Sequence, residues 1–185
     1  MFWNLKEDKK VSNPESINSF LSRGVESIYP SRKFVEEKLK NDEKLTMYLG
    51  IDPTGPTLHL GHAIVLKKLR EFQDLGHKAV LLIGDFTAMI GDPTDKTATR
   101  KKLSKQEVID NAKLYKEQAS TFLNFSGNNY AEIKYNSEWL SKMRFEEVLN
   151  LASNMTVEQM LKRDMFEERK KQDKPIYIHE FLYPL

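Results

Sequence analysis

Apolar residues along this chain change their period several times, and each change marks an element. Leu45 to Ile51 mixes apolar and β-branched residues and predicts a strand. Asp52-Pro53 and Gly55-Pro56 then break regular structure. From Leu60 the spacing turns helical, with Val65, Leu69 and Phe72 at i, i+4, i+7, and Gly76 stands just past the end, where a left-handed cap costs little. Ala79 to Ile83 is an unbroken apolar run, the pattern of a strand buried on both faces of a parallel sheet. Strand, helix and strand in this short span predict a right-handed βαβ unit. The fold class that follows is α/β, an open parallel sheet with flanking helices.

The flanks read less sharply. Residues 1–14 are polar and irregular, an exposed arm. The spacing of Ile17, Phe20, Leu21 and Val25 predicts a helix over 15–28, against which Gly24 counts. Ser31 opens a short charged helix to about Leu39. Ser104 with Glu107 forms a capping box before a long helix, with Val108, Ala112, Tyr115, Ala119 and Phe122 as its core stripe. A short third strand at Ile133–Tyr135 leads to Asn136-Ser-Glu-Trp139, and a helix follows from about Arg144 to Ala152. Thr156 with Gln159 caps one further helix, with Val157, Met160, Leu161 and Phe166 inward, up to Pro175; a last helix begins near Tyr177. The organisation expected is an arm and helices over 1–44, a nucleotide-binding α/β core over 45–138, and the start of a connective helical insert, returning towards the core, over 139–185.

Composition narrows the classes. The 185 residues suffice for one domain with a real core. A net charge of +2 does not by itself announce a nucleic-acid binder, and the lysine runs at Lys101-Lys102 and Arg169–Lys171 read as solvated faces. The absence of cysteine excludes disulfides, thiolate chemistry and zinc–sulfur sites. No apolar run approaches a membrane span, and no apolar signal core opens the chain, so a cytoplasmic protein is expected. The apolar end Phe181–Leu185 reads as a cut inside an element.

Candidate chemistry gathers after the first strand. His59 and His62 are three apart at a helix start, so both rings can face one side, where free N–H groups favour phosphate. Gly61 between them removes a side chain where a flat ligand could approach. The rival readings are two solvated histidines, or a zinc pair, which lacks a third ligand. The segment Gly84 to Thr97 carries Asp85, Thr87 and Asp92 towards the same strand ends, or is a plain capped turn. Gly91-x-x-x-x-Lys96-Thr97 is not a P-loop: it lacks the second glycine and one residue of spacing. His77 and His179 read as structural.

Asp52-Pro-Thr-Gly-Pro-Thr-Leu-His-Leu-Gly-His62 resembles the first signature of class I aminoacyl-tRNA synthetases. Tyr48–Asp52 before it and Gly84–Pro93 after it resemble tyrosyl-tRNA synthetases of bacterial type, from about residue 25 to the last residue. The resemblance implies a Rossmann-like catalytic domain that joins L-tyrosine to ATP, carrying Mg2+, and passes the tyrosyl group to tRNA(Tyr). It implies that Thr54, His59 and His62 stabilise the transition state. Gly50, Asp52 and Gly61 would complete the ATP site. Tyr48 would bond the phenol hydroxyl, Asp92 and Tyr183 would hold the ammonium group, and Thr87 would line the pocket. Asn136 and Trp139 would stand at its rim. It implies a homodimer built through residues 139–170.

The family's next pocket residues, its second ATP signature and its anticodon-binding helices have no counterpart in this sequence. Two alternatives stay open: a nucleotidylyltransferase sharing His-x-Gly-His, or a non-catalytic truncated paralogue acting as a binding or dimerisation module. Tryptophan activation is a narrower rival, against which Tyr48 argues.

Overall fold

The structure is a computed structural model that describes residues 13–41, 44–91 and 103–184. In chain order these form α1 (Pro14–Phe20), α2 (Arg32–Lys40), β1 (Thr46–Ile51), α3 (Leu60–Asp74), β2 (Lys78–Ile83) and α4 (Thr87–Ile90). They continue with α5 (Lys105–Ala112), α6 (Tyr115–Ala119), β3 (Glu132–Tyr135), α7 (Ser137–Leu140) and α8 (Phe145–Ala152). Last come α9 (Val157–Leu161), α10 (Asp164–Lys171) and a 3-10 helix, Ile178–Leu182. The arm expected over 1–14 and the Lys101-Lys102 pair lie outside the described residues, except that Asn13 caps α1 and Pro14 begins it. The chain gathers in two compact units. One runs to Ile51 and adds Thr57–Leu82 and Leu114–Lys134; the other comprises Asp52–Pro56, Ile83–Lys113 and Tyr135 onward.

The three strands form a parallel sheet, in the order β1-β2-β3. β2 is the apolar strand, with Ala79, Val80, Leu81 and Ile83 all buried. Leu66, Leu69, Phe72 and Gln73 are the buried face of α3. Val65, expected inward, is 42% exposed: one residue is 100° of helix, and the stripe actually runs through its neighbour Leu66. Phe72 and Leu75 pack with Ile17, Phe20, Leu21 and Leu39 in one apolar cluster. Burying a side chain of this size contributes roughly 1.5–3 kcal/mol.

The helix expected over 15–28 stops at Phe20. The Arg32 guanidinium donates to the Leu21 carbonyl at 2.7 Å, taking an acceptor that a longer helix would need. Gly24 then turns with φ +64°.

Two helices expected to be continuous are broken. Lys113 and Leu114 part α5 from α6. Asn111, before the break, donates to the Pro53 carbonyl, while Gln118, after it, accepts from the Leu58 N–H. Val108, Tyr115 and Ala119 are buried as expected, but Leu123 rather than Phe122 completes the stripe. In the second unit, α9 and α10 divide at Lys162-Arg163. Met160 and Phe166 are six apart, about 120° from facing alike on one continuous helix. The break lets both be buried, while Val157, also expected inward, is 63% exposed. The element near Tyr177 is a 3-10 helix rather than an α-helix.

Gln73 secures the loop that leads into β3. It is 4% exposed; its amide nitrogen donates to the Asn124 and Asn129 carbonyls, each at 2.8 Å, and its oxygen accepts from the Asn124 N–H at 3.1 Å. Asn129 returns donors to the Gln73 and His77 carbonyls. Replacing Gln73 by Leu keeps the bulk but strands these groups, and should cost about 2–3 kcal/mol in a urea denaturation. An unchanged midpoint would contradict the role given to this amide.

Candidate active site

In the first unit, β1 is followed after eight residues by α3, and the helix start is made by two histidines. His59 is the N-cap, in extended backbone, and its Nδ1 accepts from the Gly61 N–H at 3.1 Å. His62 Nδ1 accepts from the His59 N–H at 3.1 Å. The rings lie on the same side, with centroids 3.9 Å apart and planes tilted by 36°.

An acceptor Nδ1 fixes the tautomer: in the neutral ring the proton sits on Nε2. Each imidazole therefore presents Nε2–H outward as a donor, backed by the helix dipole. Burial holds the His62 imidazole below the ordinary histidine range, and repulsion from His59 lowers it further. Gly61 has a steric role within the protein itself. A Cβ there would stand 2.9 Å from His59 Cε1, so the missing side chain makes room for the His59 ring.

In the second unit, Asp52 is the centre of a hydroxyl network. Its Oδ1 accepts from Thr87 Oγ at 2.7 Å and its Oδ2 from the Tyr183 hydroxyl at 3.0 Å. Asn136 Nδ2 donates to Thr87 Oγ at 2.9 Å, while Asn136 Oδ1 accepts from the Phe86 N–H at 2.8 Å. Asn136 is 6% exposed, so it is a buried support of this network and not a rim residue; Trp139 is 46% exposed. Gly84 follows β2 directly. A Cβ on it would fall 1.8 Å from Asp52 Oδ1 and 2.6 Å from Thr87 Oγ, so only glycine fits.

The structure thus brings together Asp52, Thr87, Asn136 and Tyr183 in one unit, and His59, Gly61 and His62 in the other. Tyr48 on β1 is 70% exposed, and Gly50 meets open space where a Cβ would stand. Thr54 is exposed, its N–H donating to the Asp52 carbonyl at 2.8 Å. Asp92, expected at the ammonium site, lies outside the described residues. His77 is buried, stacks on Phe72 and accepts from the Leu45 N–H, a packing role as expected. His179 lies alongside the ring of Tyr177.

Three residues have roles that residue order does not reveal. Ser137 carries no signal of its own, and Asp85, expected to face a pocket, turns both its oxygens to Ser137. For Gly84, a glycine directly after a buried strand is the one usable hint.

Residues 40–185 match the family described as tRNA synthetases class I (W and Y). A tyrosine–tRNA ligase of Salinibacter ruber is 51% identical over 168 residues, 89% of this chain and 40% of that protein. A C-terminally truncated mitochondrial tyrosyl-tRNA synthetase of Coccidioides posadasii has a similar structure, with TM-score 0.74 and 29% identity, over 92% of this chain and 49% of that one. A tyrosyl-tRNA synthetase of Archaeoglobus fulgidus, solved with L-tyrosine, matches in fold with TM-score 0.71 at 21% identity, over 92% of this chain and 49% of that chain. The chain spans less than half the length of these relatives.

Two outcomes test this geometry. The folded His62 binds its proton less readily than the unfolded chain does. Its contribution to stability is therefore complete above the unfolded value, about 6.5, and is lost as pH falls through the lowered folded value. An NMR titration of the ring carbons should place His62 below the ordinary range. His59→Asn should raise it only in part, since burial remains. Separately, Gly84→Ala should cost about 1–3 kcal/mol by overpacking against Asp52, whereas Gly50→Ala should not destabilise. Equal stability of the two variants in denaturant would refute the close approach.

Proposed function

Because the chain belongs to the class I tRNA synthetases of the W and Y group, we propose that the protein activates L-tyrosine with ATP and passes the tyrosyl group to tRNA(Tyr). The tyrosine carboxylate attacks the α-phosphorus of ATP, the bond to the bridging oxygen breaks, and pyrophosphate leaves. Negative charge grows on the phosphate oxygens, where fixed donors are worth most. The observation that carries this reading is the histidine pair: both Nδ1 atoms accept from backbone N–H groups, so both Nε2–H groups are left to donate to phosphate. A neutral His62 keeps that tautomer near pH 7. Thr54 adds a hydroxyl, with Gly50, Asp52 and Gly61 along the nucleotide.

In this reading Tyr183 and Asp92 hold the substrate ammonium, supported by the Asp52–Thr87–Asn136 network, and exposed Tyr48 bonds the phenol hydroxyl. A site built for that hydroxyl rejects phenylalanine by roughly 10⁵, a value already known for this same enzyme family. Tyrosine rather than tryptophan is favoured by the relatives' names. The family match also counts against the nucleotidylyltransferase and the non-catalytic paralogue.

Among the described residues no group of three or more His, Asp or Glu could hold a metal. Mg2+ is assigned to the nucleotide's own phosphates, whose charge it would offset. Among the described residues no helix is long and apolar enough to cross a membrane. The bacterial origin of the relatives supports a cytoplasmic location. Phe145 and Leu149 on α8 are 76% and 54% exposed and support a homodimer through that helix.

In the intact gene product, pyrophosphate exchange into ATP should depend on tyrosine, with other amino acids close to background. Exchange driven equally well by tryptophan would defeat the substrate assignment. His59→Asn or His62→Gly should lower the exchange rate about 10²–10³-fold while tyrosine affinity stays within about twofold; equal losses in both would argue against the phosphate role. Phe145→Glu with Leu149→Glu should shift the protein from dimer to monomer in light scattering, and an unshifted mass would rule out the α8 interface.

A further inference from the structure

We propose that Asp85 is a positioning residue of the tyrosine site: its carboxylate clasps Ser137 and so holds Asn136 where it aims Thr87 at Asp52. This rests on the tyrosine reading above. Asp85 Oδ1 accepts from the Ser137 N–H at 2.9 Å and Oδ2 from the Ser137 hydroxyl at 2.6 Å. Ser137 is the first residue of α7, a helix whose N-cap, Asn136, makes no side-chain cap of its own. A carboxylate from a distant part of the sequence therefore does the capping.

Asn136 cannot cap because its amide is already spent. It accepts from the Phe86 N–H, at the start of α4, and donates to Thr87 Oγ. Its own N–H donates to the Ile83 carbonyl at 3.0 Å. Asn136 is thus pinned by Ile83 on its amino side and by Asp85, through Ser137, on its carboxyl side.

The pinning decides where one proton goes. Thr87 has a single hydroxyl proton and two acceptors in reach, Asp52 Oδ1 at 2.7 Å and the Gly84 carbonyl at 3.2 Å. With the Asn136 amide donating into one lone pair, the proton is directed to the nearer, charged oxygen. If Asn136 shifts, Thr87 can turn to the Gly84 carbonyl, and Asp52 loses a donor that holds its carboxylate. Asp85 acts on the site only through this chain of contacts.

The chemistry supplies a sharp control. Asparagine at position 85 can keep both arms, its oxygen accepting from the Ser137 N–H and its amide donating to Ser137 Oγ. Alanine keeps neither, and Ser137→Ala removes only the hydroxyl arm. In the intact gene product, D85A should raise the tyrosine KM about tenfold or more, and the ATP KM, reached through Asp52 alone, by less. D85N should stay within about threefold of the unaltered protein, and S137A should lie between them.

A D85N loss as deep as that of D85A would mean that the charge itself acts, and would overturn the clasp. An unchanged tyrosine KM in D85A would overturn it too. Hydrogen exchange of the Asn136 side-chain amide, read by NMR, is independent of substrate. It should quicken in D85A and S137A but not in D85N, and equal rates in all would overturn the clasp. If D85A does not fold, S137A and D85N carry both readouts. If the unaltered protein shows no tyrosine-dependent exchange, the substrate reading falls, while the amide exchange still decides the clasp.

Discussion

One carboxylate receiving two hydroxyls ties together the most distant parts of the second unit. Asp52 follows β1, Thr87 opens α4, and Tyr183 follows the 3-10 helix; the Thr87 and Tyr183 hydroxyls meet on Asp52. A charged acceptor makes each of these bonds stronger than a neutral pair. It also imposes a steric condition, because the backbone after β2 must pass within van der Waals reach of the carboxylate. Glycine at position 84 meets that condition and no other residue does. Thr87, Asn136 and Asp85 are then successive supports, each using its polar atoms on the next.

The approach of Tyr183 to Asp52 depends on the segment before it. Arg169 on α10 pairs with Glu180 at 2.7 Å, both side chains only 13% exposed, and also donates to the Pro175 carbonyl. The other Glu180 oxygen accepts from the Tyr177 N–H, and the Tyr183 N–H donates to the Glu180 carbonyl. The Phe166 ring meets Phe181 edge-on at 4.9 Å. The short helix thus carries its tyrosine on a support of one ion pair and one aromatic contact. Because the pair is so little exposed, removing one partner would leave an uncompensated buried charge.

The first unit solves a different problem, that of presenting positive character without a mobile side chain. Two imidazoles cap the same helix turn, each consuming an N–H that would otherwise point outward. The cost is two backbone donors removed from the anion-binding turn. The gain is two ring donors of defined tautomer, their planes tilted and their centroids 3.9 Å apart. Gly61 belongs to this economy of space: the ring of His59 lies where its side chain would be.

Much of this was legible from residue order alone. The βαβ unit, the capping boxes of α5 and α9, and the pairing of His59 with His62 follow from local periodicity and from hydrogen bonds three residues apart. Such contacts are determined within one turn of chain. The breaks at Lys113-Leu114 and Lys162-Arg163 were hidden, because each depends on contacts or burial that no window of adjacent residues contains. The exposure of Val65 and Val157, the burial of Asn136, the exclusion of a side chain at Gly84 and the turn of Asp85 towards Ser137 were hidden for the same reason. Sequence by itself determined which residue types could serve phosphate and amino-acid chemistry, since that depends on side-chain chemistry and spacing along a helix. Only the tertiary structure decided which of them meet, because a hydrogen bond such as that from Tyr183 to Asp52 joins atoms 131 residues apart.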